Sequence, residues 1–161
     1  MSPEQPAPVL RAPWEKFLTE LDAQLEEAVE LHCAGAFVLA VLYGGEVLTG
    51  DLDYIEAIPA GAVGTLQDLA GSGTALAKKY RVHLEFVPKG GIIDVPDNYA
   101  SRLVDLFPGR FVKLRLRALE PHDLVLSKLT RNAARDERDF AFLAAKGLLD
   151  PDVLEERYRR E

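Results

Sequence analysis

The segment GAFVLAVLYGGEVLTGDLDYIEAIP, residues 35–59, restricts the fold of this chain more than any other stretch. Its first half is almost wholly apolar and bounded by glycines, which fits a buried helix opened at Gly35 and capped by Gly44 and Gly45. Its second half, DLDYIEAI, reads as a strand. In a strand, residues i and i+2 share a face, so Asp51 and Asp53 present two carboxylates side by side while Leu52 and Tyr54 face away from them, with Ala57 a further candidate for that opposite face. Like charges that close repel. A divalent cation held by both carboxylates offsets the repulsion directly, and solvent at the strand mouth offsets it more weakly.

Around this pair of elements the chain alternates helical and extended patterns. Residues 1–13 hold four prolines and little that could pack, so they read as a mobile arm, and 14–161 as a single domain. Trp14, Phe17, Leu18, Leu21, Leu25 and Ala28 recur at spacings of three and four, predicting a helix of about four turns with one apolar stripe. AVELHCAG reads as a buried strand ending at Gly35. Residues 61–80 read as a helix broken near GSG at 71–73, and RVHLEFVP as an alternating strand ended by Pro88, Gly90 and Gly91. DNYASRLVDLFPG predicts a short helix, and RFVKLRLRAL, which alternates basic and apolar residues, a half-buried strand. Glu120-Pro121 opens a helix with proline in its first turn, and two or three helices run from there to the end.

Composition excludes several classes. The chain is 48% hydrophobic and 28% charged, as soluble globular proteins are, and no run approaches the roughly 18 apolar residues of a membrane span. The start MSPEQPAPVLRAP has neither a basic n-region nor an apolar h-region, and the single Cys33 cannot form an internal disulfide. Both facts fit a cytoplasmic location. A net charge of −7 argues against coating nucleic acid nonspecifically. The charge is unevenly spread, however: Lys16 is the only basic side chain in residues 14–56, whereas 110–138 carry Arg110, Lys113, Arg115, Arg117, Lys128, Arg131, Arg135 and Arg138. A basic wall facing an acidic site would suit Mg-bound phosphates, and a solvated basic helix and strand is the alternative.

A glycine turn that leads into a helix and then into a D-x-D strand has a mechanical logic for phosphoryl or nucleotidyl transfer. The helix N-terminus at Gly35 and Ala36 offers free backbone N–H groups and a positive dipole end to a phosphate. Glu85, in VHLEF on the strand expected beside Asp53, would complete a metal site with Asp51 and Asp53. Lys128, Arg131 and Arg135 recur on one helix face, either as phosphate contacts or as solvent-facing cations. His32, His83 and His122 share no metal-ligand spacing with Cys33 and read as structural.

Two blocks in this order, AGAFVLAVLYGGEVLTGDLD with Thr49, Asp51 and Asp53, and HDLVLSKLTRNAARDERDF with Asp123, Lys128, Arg131, Asp136 and Asp139, carry a resemblance. The chain resembles the nucleotidyltransferase superfamily that includes DNA polymerase beta. It is more closely similar to small bacterial nucleotidyltransferase-like proteins related to abortive-infection and toxin-antitoxin transferases. The resemblance implies a mixed α/β fold, an α+β nucleotidyltransferase core closed by a C-terminal helical segment. It also implies Mg2+- or Mn2+-dependent transfer of a nucleotidyl group from an NTP to an acceptor such as RNA or protein. By the same resemblance Asp51, Asp53 and Glu85 hold the metals, Glu85 helps activate the acceptor, and the Gly35 and Ala36 amides cradle the triphosphate. Thr49, Lys128 and Arg131 complete the implied substrate site. The turn Ala34-Gly35 lacks the serine usual there, and Val47 stands where a basic residue is common. These departures favour the alternative, a degenerate, non-catalytic fold that senses nucleotide or binds a protein, as in a toxin-antitoxin pair.

Overall fold

The computed structural model describes residues 10–43, 50–89, 95–127 and 141–159, with Tyr43 described by its backbone alone. In chain order the elements are α1 (Trp14–Gln24), β1 (Val29–Ala34), α2 (Gly35–Tyr43), β2 (Asp51–Ile58), α3 (Ala62–Ala70), α4 (Ala75–Tyr80), β3 (His83–Phe86), a 3-10 turn (Tyr99–Arg102), β4 (Val104–Leu106), β5 (Leu114–Ala118), α5 (Pro121–Leu126) and α6 (Pro151–Arg159). A helical turn also covers residues 141–145. The strands form one mixed sheet in the order β3-β2-β1-β5-β4. β1 runs antiparallel to β2 and parallel to β5, β2 runs parallel to β3, and β4 closes the other edge antiparallel to β5. The expected mixed α/β class is the one observed.

The sheet has an apolar face and a charged one, and the register separates them. Leu31, Cys33, Leu52, Tyr54, Leu84, Leu116 and Ala118 are at most 1% exposed. They form one core with Phe17, Leu18 and Leu21 of α1, Phe37, Val38 and Leu39 of α2, and Leu66 and Ala70 of α3. Burial of each larger side chain contributes roughly 1.5–3 kcal/mol. Edge-to-face aromatic packing joins α1 to α2, with the Trp14 and Phe37 rings 4.8 Å apart. The Tyr54 hydroxyl donates to Gln67 Oε1 at 2.7 Å, which ties β2 to α3.

On the opposite face the register aligns charged residues across the strands. Asp51 lies opposite His83 and Asp53 opposite Glu85. Glu56 lies opposite His32, Glu30 and His32 opposite Arg115 and Arg117, and Asp105 opposite Arg117. A bulge in β2 keeps this face continuous, because Cys33 pairs with Tyr54 while the preceding His32 pairs with Glu56, which leaves Ile55 as the extra residue. Strict alternation would send Glu56 into the core beside Leu52 and Tyr54. With the bulge, Asp51, Asp53 and Glu56 share the polar face, and Leu52, Tyr54 and Ala57 the buried one.

Local signals set several boundaries. Thr74 caps α4 by accepting from the Ala77 amide, and Glu120 caps α5 by accepting from the Asp123 amide at 2.8 Å, with Pro121 in the first turn. Two sequence expectations need correction. The first helix ends at Gln24, about three turns in, because Leu25 is extended; Leu25 stays buried, but Ala28 lies outside the helix and is exposed. DNYASRLVDLFPG is helical only over the 3-10 turn and then becomes edge strand β4, which Asp105 fastens through Arg117 Nε at 3.1 Å and Arg115 Nη2 at 3.3 Å. Cross-strand pairing outweighs the local helical spacing of Leu103, Leu106 and Phe107.

Residues 1–9 of the expected arm, and Gly44, Gly45, Gly90 and Gly91, lie outside the described residues. Leu10 packs on the core, and the carbonyls of Arg11 and Pro13 accept from the Glu15 and Phe17 amides at 3.0 and 3.1 Å. No helix among the described residues is long and apolar enough to cross a membrane.

Candidate active site

The turn from β1 into α2 is built around one contact. Gly35 has φ +76°, and a Cβ placed on it would lie 2.5 Å from Oδ2 of Asp53 and 3.3 Å from its carboxyl carbon. Only glycine combines that backbone with that proximity. Ala34 is paired with Asp53 across the β1–β2 ladder, so the start of α2 is brought against this carboxylate by register as well as by the turn. The first-turn amides of α2, those of Gly35 and Ala36 among them, have no intrahelical acceptor, and their dipole end is positive.

From the neighbouring strand come His83 and Glu85. Because β2 and β3 are parallel and aligned, Asp51, Asp53, His83 and Glu85 occupy four corners of one grid on the charged face. One ligating atom each from Asp51, His83 and Glu85 lie within 4.8 Å of one another. Glu85 responds to the crowding: its pKa is raised to about 7, first by its hydrogen bond with Asp51, then by partial burial and the charges of Asp51 and Asp53. Carboxylate oxygens with one imidazole nitrogen form a donor set that suits a divalent cation.

Away from this grid the charged face is internally neutralised. His32 is 2% exposed; its Nε2 is 2.9 Å from Glu30 Oε2 and its Nδ1 2.8 Å from the Tyr99 hydroxyl, which donates to Glu56. Lys89 reaches the same Glu56 at 3.1 Å and lies over the Tyr99 ring. The expected basic wall is therefore not a free cationic surface over its described part. Arg115 and Arg117 pair with Glu30 and Asp105, Arg110 with Glu15, and the Lys113 ammonium donates to the Glu26 carbonyl.

The structure thus places Asp51, Asp53 and Glu85 on one face beside the Gly35-Ala36 turn. Thr49, Lys128 and Arg131 lie outside the described residues, as do Val47, Arg135, Asp136 and Asp139. Asp123, from the second block, is fully buried and held by Arg102 and Arg157, well inside the helical segment. Ligand spacing to Cys33 does not single out His83, yet VHLEF alternates, and a residue two before Glu85 must share its face.

No curated protein and no solved structure matches the chain. Residues 18–161 do match a family described as nucleotidyltransferase of unknown function (DUF6036), a span that begins within α1 and takes in every later element and the whole carboxylate grid. With a sheet, glycine turn and paired aspartates arranged as above, the chain belongs to that nucleotidyltransferase family.

Proposed function

We propose that the chain transfers a nucleotidyl group from an NTP to an acceptor hydroxyl, RNA or protein, with Mg2+ or Mn2+. The observation that carries this reading is the contact of the Gly35 turn with Asp53: it sets a helix N-terminus, which favours phosphate, against carboxylates, which favour a cation. Membership of a nucleotidyltransferase family supports it. Asp51, Asp53 and Glu85 would hold the metal, and a bound divalent cation would supply positive charge against the triphosphate. The Gly35 and Ala36 amides orient the phosphates. The acceptor oxygen bonds to the α-phosphorus as the bond to the bridging oxygen breaks and pyrophosphate leaves, while Glu85 helps activate the acceptor hydroxyl, whose proton passes to solvent. Thr49, Lys128 and Arg131 complete the proposed substrate contacts.

The test compares thermal melts of wild type and Asp51→Asn with and without Mg-NTP, together with pyrophosphate release. The wild type gains roughly 2.7 kcal/mol at a hundredfold excess of ligand over Kd, and the variant gains little because an amide cannot balance the cation charge. If nucleotide stabilises neither protein and Asp51→Asn unfolds the apo form, Asp51 is a structural cap and the reading fails. Nucleotide binding with no pyrophosphate released under any acceptor would instead support a sensing module, alone or with a toxin-antitoxin partner.

A further inference from the structure

His83 enters none of the steps above, and its position gives it a role in choosing the cation. It is the register partner of Asp51 and stands two residues before Glu85, so it holds the fourth corner of the grid. Its ring is only partly exposed, and one of its nitrogens lies within 4.8 Å of ligating oxygens on both Asp51 and Glu85. Ligands bound to one cation at about 2.0–2.2 Å lie within roughly 4.4 Å of each other, so a small shift of side chains closes the set. The other described histidines are engaged elsewhere, His32 with Glu30 and Tyr99, and His122 with Glu120 and the Asp150 amide.

We infer that His83 is a ligand of the cation held by Asp51 and Glu85, and that it biases this site toward Mn2+ and similar transition ions over Mg2+. The physical reason is donor type. Mg2+ binds hard oxygens and keeps its waters, whereas imidazole nitrogen strengthens binding of transition ions. An all-carboxylate grid would have no such preference built in. This inference rests on the reading of Asp51 as a cation ligand, and it requires neither nucleotide nor turnover.

The experiment titrates the full-length, nucleotide-free protein with Mn2+ and separately with Mg2+ by calorimetry, and records pulsed EPR on the Mn2+ form. The proteins are wild type, His83→Gln and Asp51→Asn, each checked for cooperative melting. Wild type should bind Mn2+ at least about tenfold more tightly than Mg2+ and show coupling to one 14N nucleus. His83→Gln should lose the coupling and roughly tenfold in Mn2+ affinity while its Mg2+ affinity stays within about twofold. Asp51→Asn should lose affinity for both ions. Absence of 14N coupling in wild type, or an unchanged Mn2+ to Mg2+ ratio in His83→Gln, overturns the role of His83 and leaves the transferase reading standing. Failure of wild type to bind either ion, with or without NTP, overturns both.

Discussion

Glu85 sits where β2 and β3 put Asp51 and Asp53 within reach, and in the cation-free protein its negative charge is the one least welcome there. Removing that charge should therefore stabilise the apo fold. Glu85→Gln is expected to raise apo stability at pH 8 by about 1 kcal/mol, since the residue is exposed enough for solvent to screen much of the repulsion. The same variant should gain less from Mn2+ than the wild type does. Urea unfolding with and without the ion reads both effects, and a destabilised apo variant would show that Glu85 acts as a structural acceptor. Asp22 works in the opposite sense. Its carboxylate accepts from the amides of Val112, Lys113 and Leu114 at 3.0, 2.7 and 2.8 Å, and so fixes the entry into β5. Asp22→Ala leaves those amides without their acceptor and is expected to cost roughly 2 kcal/mol in the same assay.

At the scale of elements, the β1–α2–β2 unit depends on a backbone that passes close to a side chain. Gly35→Ala adds a methyl group 2.5 Å from Asp53 Oδ2 on a residue with φ +76°. The positive φ alone costs about 1–2 kcal/mol, and relief of the clash must turn the carboxylate away from the grid. The expected result is a folded protein, destabilised by roughly 2–3 kcal/mol, whose affinity for a divalent cation falls much further than that of a surface control such as Lys16→Ala. This unit was legible in the sequence because its signals are local: glycine before an apolar run, then alternation that starts at Asp51. Glu120-Pro121 was legible for the same reason. The bulge at Ile55 was less so, although the adjacent apolar pair Tyr54-Ile55 marks it, because two apolar neighbours in a strand mean either a bulge or burial on both faces. Edge strand β4 was missed because three residues carry no periodicity of their own, and its identity comes from the pairing of Leu106 and Val104 with β5. The closeness of His83 to Asp51 was not legible because the two come from different strands, and only the β2–β3 register reveals it.

Across the whole molecule, charges do two jobs that pull stability in opposite directions with pH. The C-terminal helix α6 is fastened to α5 and to the 3-10 turn through Asp123, which is fully buried, accepts from Arg102 Nε and Nη2 at 2.9 and 3.0 Å, and accepts from Arg157 Nη1 at 3.1 Å. Arg157 also pairs with Glu120, whose Oε2 meets His122 Nδ1 at 3.0 Å. Burial pushes the Glu120 pKa upward, but His122, the Asp123 amide and Arg157 outweigh it, and the net pKa is lowered. Asp22 is likewise lowered, since burial is outweighed by its three amides. For such groups the folded pKa lies below the unfolded one, so their stabilisation is present above the ordinary carboxylate range near 4 and is lost as pH falls through the folded values. Glu85 is the reverse case: its folded pKa of about 7 exceeds its ordinary value of 4.5, so the stability linked to its proton is full below 4.5 and is lost as pH rises through 7. Cation-free stability should therefore peak near pH 5, fall steeply below about 4, and decline gently toward pH 8. The two limbs separate by mutation. Glu85→Gln should flatten the decline between pH 5 and 8 and leave the acid limb intact, whereas Asp22→Ala should shrink the acid limb alone. Urea midpoints measured at half-unit steps from pH 3.5 to 8.5 decide it, and an alkaline limb that persists in Glu85→Gln would assign the decline to some group other than the carboxylate grid.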